Sequence, residues 1–144
     1  MAGILPAVSI QDVPEDVAPK YTAVGTVGTV TTREIKEGYV QVSIPLEGTA
    51  SDGSEKRITA RFNVRPEWFD AGFEKSEDYA GYADNQRFSY QINMKKLARG
   101  VFAAAGLTTM DFDTLEGATV GFTVGPQSKD KSRQEVKGFY SPKR

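Results

Sequence analysis

Arg57, Arg61 and Arg65 lie in the run KRITARFNVR, where they alternate with the apolar residues Ile58, Ala60, Phe62 and Val64. Residues an even number apart on a strand share a face, so the three guanidinium groups form one outward stripe. Arginine in such a stripe can grip phosphate oxygens in bidentate fashion or stack on a planar base. Tyr39 and Gln41, on the facing strand, put a flat ring and an amide beside it. A site for single-stranded nucleic acid needs both elements, cations for the backbone and aromatic faces for the bases. The plainer reading is a strand face kept soluble by its charge.

Other residues of the same chemistry fall in the connections. Arg33 and Lys36 follow the first β-rich stretch, and Lys129, Lys131 and Arg133 fill a polar turn near the end. Trp68 follows Arg65, Pro66 and Glu67, so the end of the stripe delivers an indole to the rim of the proposed groove. Tyr79 and Tyr82 stand among glycine and acids in a stretch that runs to Gln91. These aromatics suit base stacking, but Trp68, Phe69 and Phe73 suit a plug at a barrel end equally well. The acids between Glu67 and Asp84 would repel phosphate, so this insertion is also a candidate for packing on a neighbouring protomer or for gating.

The chain contains neither cysteine nor histidine. That removes disulfides, thiolate metal sites, a thiol nucleophile and every histidine-dependent triad. Asp111 and Asp113 flank Phe112 but have no third ligand in the pattern, and read as a solvated turn. The Gly25–Gly28 spacing has no following Lys-Ser or Lys-Thr and is not a phosphate loop. The expectation is a binding protein with no catalysis, cofactor or metal. No stretch approaches the roughly 18 apolar residues that cross a bilayer, and the opening MAGILPAVSI lacks the basic start of a signal peptide. A soluble cytoplasmic protein is expected, in a host cell if phage-encoded. The net charge of −1 conceals segregation: cations from Lys56 to Arg65, acids from Glu67 to Asp84, cations again from Lys129 onward.

The elements that must position these residues are mostly β. Residues 1–19, with Pro6, Pro14, Pro19 and the acids Asp12, Glu15 and Asp16, suit an irregular arm before one domain over 20–144. Val24, Val27 and Val30 recur every third residue in a valine- and glycine-rich strand, which a one-residue bulge reconciles. Val40, Val42, Ile44 and Leu46 face inward on the second strand and pair in register with the arginine strand across an Asp52-Gly53 turn. Ile92, Leu97, Val101 and Phe102 predict a helix capped by Asn93 and ended by Gly106, with Lys95, Lys96 and Arg99 facing away. LEGATVGFTVGP and SRQEVKGFYSP complete the set as two strands.

Five strands, one helix between the third and fourth, and a long insertion before that helix predict a five-stranded OB-fold barrel, whose outer face and loops bind oligonucleotides. With this strand order, the insertion, and the ending VGFTVGPQSKDKSRQEVKGFYSP with its Phe-Tyr-x-Pro exit, the chain resembles the bacteriophage single-stranded-DNA-binding proteins with an OB core, over most of residues 20 to 142. The resemblance implies a protein that coats single strands during replication and recombination, stacking bases on aromatics and tracking phosphates with Lys and Arg. That role would fall on Tyr39, Arg57, Arg61, Arg65, Trp68 and the Lys129 to Arg133 loop. Single-stranded DNA is the implied partner, with replication proteins and further copies of the chain as other candidates, and no membrane. Many such proteins end in an acidic tail that recruits polymerase and helicase, whereas this sequence ends Ser141-Pro142-Lys143-Arg144, which puts tail-mediated partner binding in question. The rival expectation is a barrel used for protein assembly, its arginines meeting an acidic partner.

Overall fold

The structure is a computed structural model that describes residues 5–10 and 17–142. Of the expected irregular arm, residues 1–4 and 11–16, with Pro14 and the acids Asp12, Glu15 and Asp16, lie outside the described residues, as do Lys143 and Arg144. The described chain is mostly β, a curled antiparallel sheet with helical segments at one end. Its strands are β1 (Tyr21–Val27), β2 (Thr31–Glu34), β3 (Val40–Ala50), β4 (Glu55–Val64), β5 (Thr119–Pro126) and β6 (Gln134–Tyr140). Between β4 and β5 lie α1 (Glu77–Ala80), α2 (Asp84–Lys95), a π-helical continuation (Lys96–Phe102) and α3 (Phe112–Leu115).

β3 is the hub. It pairs with β4 along nearly its whole length and, on its other edge, with β1 and then β2. β1 in turn pairs with β5, and β5 with β6. The expected β3–β4 hairpin is in register, Val42 opposite Phe62 and Leu46 opposite Ile58. Its turn works as its residues predict. Gly53 takes φ +86°, and Asp52 Oδ1 accepts from the Ser54 amide at 2.9 Å.

The sheet has six strands where five were expected, because the first divides. Val27 faces Leu46 and Thr31 faces Ser43, so four residues on one side span three on the other. This is the expected extra residue, and it flips the inward parity: Ala23 and Val27 are buried before it, and Val30 packs on the core after it. Val24 lies on the outer face, 42% exposed. The inner face is pinched where Gly25 pairs with Gly48. A Cβ on Gly25 would stand 2.1 Å from the Glu47 carbonyl oxygen, and one on Gly48 2.5 Å from that of Val24. Only glycine on both strands allows so close an approach.

The helix corrects the sequence reading at its start and in its phase. It begins at Asp84, after Ala83, whose amide donates to the Gln86 side chain at 2.8 Å. Asn93 is therefore interior rather than a cap, and its amide donates to the Asn63 carbonyl of β4 at 3.2 Å. The buried face runs through Tyr90, Met94, Leu97, Val101 and Phe102. Ile92, two residues from Tyr90, is turned nearly opposite and is 37% exposed. Gly106 ends the helix as expected, at φ +77°. The helix closes one end of the sheet, where Leu97, Val101 and Phe102 join Ile44, Val120, Phe122 and Leu115 in one core.

This phase predicts unequal costs of truncation. Leu97→Ala removes a side chain of 0% exposure and is expected to lower the unfolding free energy by roughly 2–5 kcal/mol. Ile92→Ala should cost far less, about 0.5 kcal/mol or little more. Denaturant titration of the two variants checks this, and equal losses would mean that the helix is rotated.

Candidate nucleic-acid interface

The edges of β4 and β6 that face away from β3 and β5 border a cleft of about 690 Å³. The two strands come within 8 Å, Cα to Cα, without sharing a ladder. The helix contributes Asn93, Lys96 and Gly100 to the cleft, the last two from its π-helical turn. A π turn is wider than an α turn, and such turns recur at functional sites. Lys96 lines the cleft together with Arg61 of β4 and Lys137 of β6, the last lying beside Gly125 of β5. Among the described residues neither Arg61 nor Lys96 is ion-paired. Glu135 is the one acid of the lining, and it bonds Lys137 Nζ at 2.6 Å. Side-chain amides of Gln41, Asn63, Gln127 and Gln134 add neutral donors and acceptors, and Phe62 and Phe139 supply rings.

The arginine stripe does not act as one set. Arg61 is exposed and lines the cleft. Arg57 is exposed and pairs with its cross-strand neighbour Glu47 at 2.8 Å. Arg65 turns inward. Its Nε meets Glu67 Oε2 at 2.8 Å, its Nη1 donates to the Glu37 carbonyl, and its plane lies 5.0 Å from the Tyr39 ring centroid. Arg33, expected in a connection, is instead a residue of β2, because the first β-rich stretch resumes after its extra residue and pairs with β3. It reaches Gln41 Oε1 at 3.3 Å across the β2–β3 ladder, and so adjoins the cleft at Gln41. Lys36 is exposed on the loop beyond it. Lys129 and Lys131 are exposed on the β5–β6 loop, and Arg133 pairs there with Asp130 at 3.4 Å. The Lys131 carbonyl accepts from the Ala18 amide at 2.7 Å, which ties the chain before β1 to this loop.

Trp68 is not on the rim. It is 2% exposed, and Tyr39 and Tyr90 meet it edge to face at 6.1 and 5.4 Å. The plug reading holds for this residue, because an indole beside the open end of the curled sheet buries more apolar area inward than a rim position allows. Its Nε1–H donates to Tyr82 Oη at 2.8 Å, and Tyr82 donates to Glu67 Oε2 at 3.1 Å. Tyr79 and Tyr82 also pack on Phe73, at 5.6 and 5.5 Å, so both rings belong to the cluster under the insertion. Asp111 accepts from the Asp113 amide at 3.0 Å as the cap of α3, which is the turn expected there.

Burial pushes the Glu67 carboxyl up, but hydrogen bonds from Arg65 and Tyr82 and the nearby guanidinium charge outweigh it and hold the group below the usual carboxylate range. Tyr90, buried and bonded to Glu74 Oε1 at 3.1 Å, is pushed up to about 12, first by burial and then by that carboxylate. The cleft residues that the sequence reading left out of the site are Lys96, Lys137, Phe62, Phe139 and the amides other than Gln41. Lys96 carried a signal as part of the outward cationic helix face. Nothing in the sequence placed that face beside β6.

Two outcomes follow from the plug. Trp68→Ala should lower stability by roughly 3–5 kcal/mol, read by chemical denaturation, as a large core truncation does. The phenol of Tyr90 ionises near its ordinary 10.0 in the unfolded chain and near 12 in the folded one. Its contribution is therefore complete below pH 10 and is lost as pH rises from 10 towards 12. Tyr90→Phe should make alkaline unfolding over that window shallower, and an unchanged slope would contradict the assignment. No protein-family model matches the chain, and no curated protein matches it.

Proposed function

We propose that this protein binds single-stranded DNA without regard to sequence, on an OB-type barrel left open between β4 and β6, and that it coats strands during replication or recombination. The observation that carries the reading is the cleft. Arg61 and Lys96, neither ion-paired among the described residues, line it from β4 and the helix, its one acid is paired with Lys137, and the partly buried rings of Phe62 and Phe139 border it. Phosphates would meet the cations, and bases would rest on the rings. The OB reading is supported by the pairing of β1 with β3 on one side and β5 on the other, with the helices between β4 and β5. It is also supported by the cations beside the cleft, Arg33 at the end of β2 with Lys36 on the loop after it, and Lys129 and Lys131 on the β5–β6 loop. Non-enzymatic binding needs no more than these groups. The resemblance to phage single-strand-binding proteins agrees with this assignment, with the stacking role moved from Trp68 to the rings of the cleft.

The test is fluorescence anisotropy with a labelled oligonucleotide across a salt series. Three phosphate contacts, at Arg61, Lys96 and Lys36, give a slope of log affinity on log salt of roughly −2, at about −0.7 each. Arg61→Glu with Lys96→Glu should abolish binding at moderate salt while leaving the melting temperature nearly unchanged, because both side chains are exposed. Duplex of the same length should bind more weakly. A protein that ignores oligonucleotides at low salt would instead be an assembly module whose cations meet an acidic protein partner.

A further inference from the structure

The loop between β2 and β3 has an unusual backbone. Glu37 and Gly38 are consecutive left-handed residues, at φ +62° and +80°. For Gly38 this is free, but for Glu37 it is costly, and such a conformation persists only where the surroundings hold it. Two backbone bonds close the loop, Ile35 amide to Tyr39 carbonyl at 2.9 Å and Tyr39 amide to Lys36 carbonyl at 3.3 Å. The third restraint comes from 28 residues away, where Arg65 donates through Nη1 to the Glu37 carbonyl between the two left-handed residues. The same guanidinium uses its Nε on Glu67 and its face on Tyr39, the residue that leads into β3. Glu67 is held in turn by the Tyr82 hydroxyl, and Tyr82 by the buried indole of Trp68.

The loop leads directly into the cleft. Val40 and Gln41 pair with Val64 and Asn63, and both Gln41 and Asn63 line its wall. Lys36 is the cation that the loop carries to that end, next to Arg33 of β2, which bonds Gln41. We infer that Arg65 touches no phosphate but is a positioning residue, a clamp that fixes the β2–β3 loop and with it Lys36, beside Arg33 of β2, as the entry of the cleft, the acidic aromatic insertion serving to hold the clamp. The inference rests on the nucleic-acid reading for what the loop does, and on geometry alone for what holds it. It gives the acids of the insertion a purpose that does not oppose phosphate: Glu67 spends its charge on Arg65. It also separates Arg65 from Arg61, which the strand alternation puts on the same face. A guanidinium is required, because a single ammonium cannot bond the carboxylate, bond the carbonyl and cover the ring at once.

The experiment compares Arg65→Lys, Gly38→Ala and Lys36→Ala by oligonucleotide affinity over a salt series and by amide hydrogen exchange. Gly38→Ala reaches the clamp without altering Arg65, since its Cβ would stand 2.8 Å from Arg65 Nη2 at a φ that alanine resists. Arg65→Lys keeps the charge. It should nevertheless weaken binding as much as Lys36→Ala, about three- to tenfold, and lower the salt slope by about 0.7. Lys36→Ala should add nothing in the Arg65→Lys background, whereas Arg61→Ala should add its full effect. Exchange at the Ile35 and Tyr39 amides should accelerate at least tenfold in both Arg65→Lys and Gly38→Ala. Wild-type affinity in Arg65→Lys would show that charge alone matters and would overturn the clamp, as would additive losses with Lys36→Ala. If the wild-type protein binds no oligonucleotide, the nucleic-acid reading falls, and exchange decides the clamp by itself. Faster exchange in both variants upholds it, and unchanged exchange in either overturns it.

Discussion

β3 has to hydrogen-bond on both edges while it bends across β1, and the other strands take their places from that requirement. Eleven residues long, it carries β4 on one side and β1 followed by β2 on the other. A strand paired on both sides cannot turn sharply unless its inner face is bare, and the facing glycines 25 and 48 make it so. The extra residue at Gly28–Val30 then lets the chain follow the bend without turning its apolar side to water. Curling brings β4 and β6 towards each other, and the cleft is what remains where they fail to pair.

The end of the sheet near Trp68 is closed by aromatic packing rather than by strand pairing. Trp68, Phe73, Tyr79, Tyr82 and Tyr90 meet at centroid distances between 5.1 and 6.0 Å, mostly edge to face. Tyrosine suits this place because each ring buries area while its hydroxyl reaches a partner: Glu67 for Tyr82, Glu74 for Tyr90. An acidic stretch can therefore fold onto a hydrophobic opening, since two of its carboxylates are acceptors for that cluster. The same packing takes the indole out of reach of any ligand.

Charge is distributed by the same logic. Arg57, Arg65, Arg133 and Lys137 each have a carboxylate within reach, and three of these pairs are well exposed and contribute little to stability. Their effect is to cancel field where it is not used. Arg61 and Lys96 keep theirs and line the cleft, where protein on both sides concentrates it. Phe88, 65% exposed on α2, lies on the helix face away from the core and takes no part in this arrangement.

Much of the sheet was legible in the residues themselves. Alternation along 40–46 and 57–65 set which side chains point inward, and Asp52-Gly53 set the register, because both signals are local: a period of two and a turn that needs a positive φ. The valine spacing announced the extra residue in the first strand for the same reason. The helix start was not legible, since Ala83 is a weak cap and Asn93 looked a better one. What made Asn93 acceptable inside a helix is the Asn63 carbonyl, 30 residues earlier in sequence and adjacent only in the fold. The fate of each arginine was likewise decided in three dimensions. Strand alternation places Arg61 and Arg65 on one face, but Arg65 ends at a strand terminus, where the folded-back insertion and the β2–β3 loop supply acceptors that Arg61 lacks. The sequence by itself determined the inward faces of β3 and β4, the turn between them and the segregation of charge along the chain, because those follow from neighbours in sequence. Only the tertiary structure decided which cations share a cleft, since Arg61, Lys96 and Lys137 come from β4, the helix and β6 and are joined by the curl of the sheet.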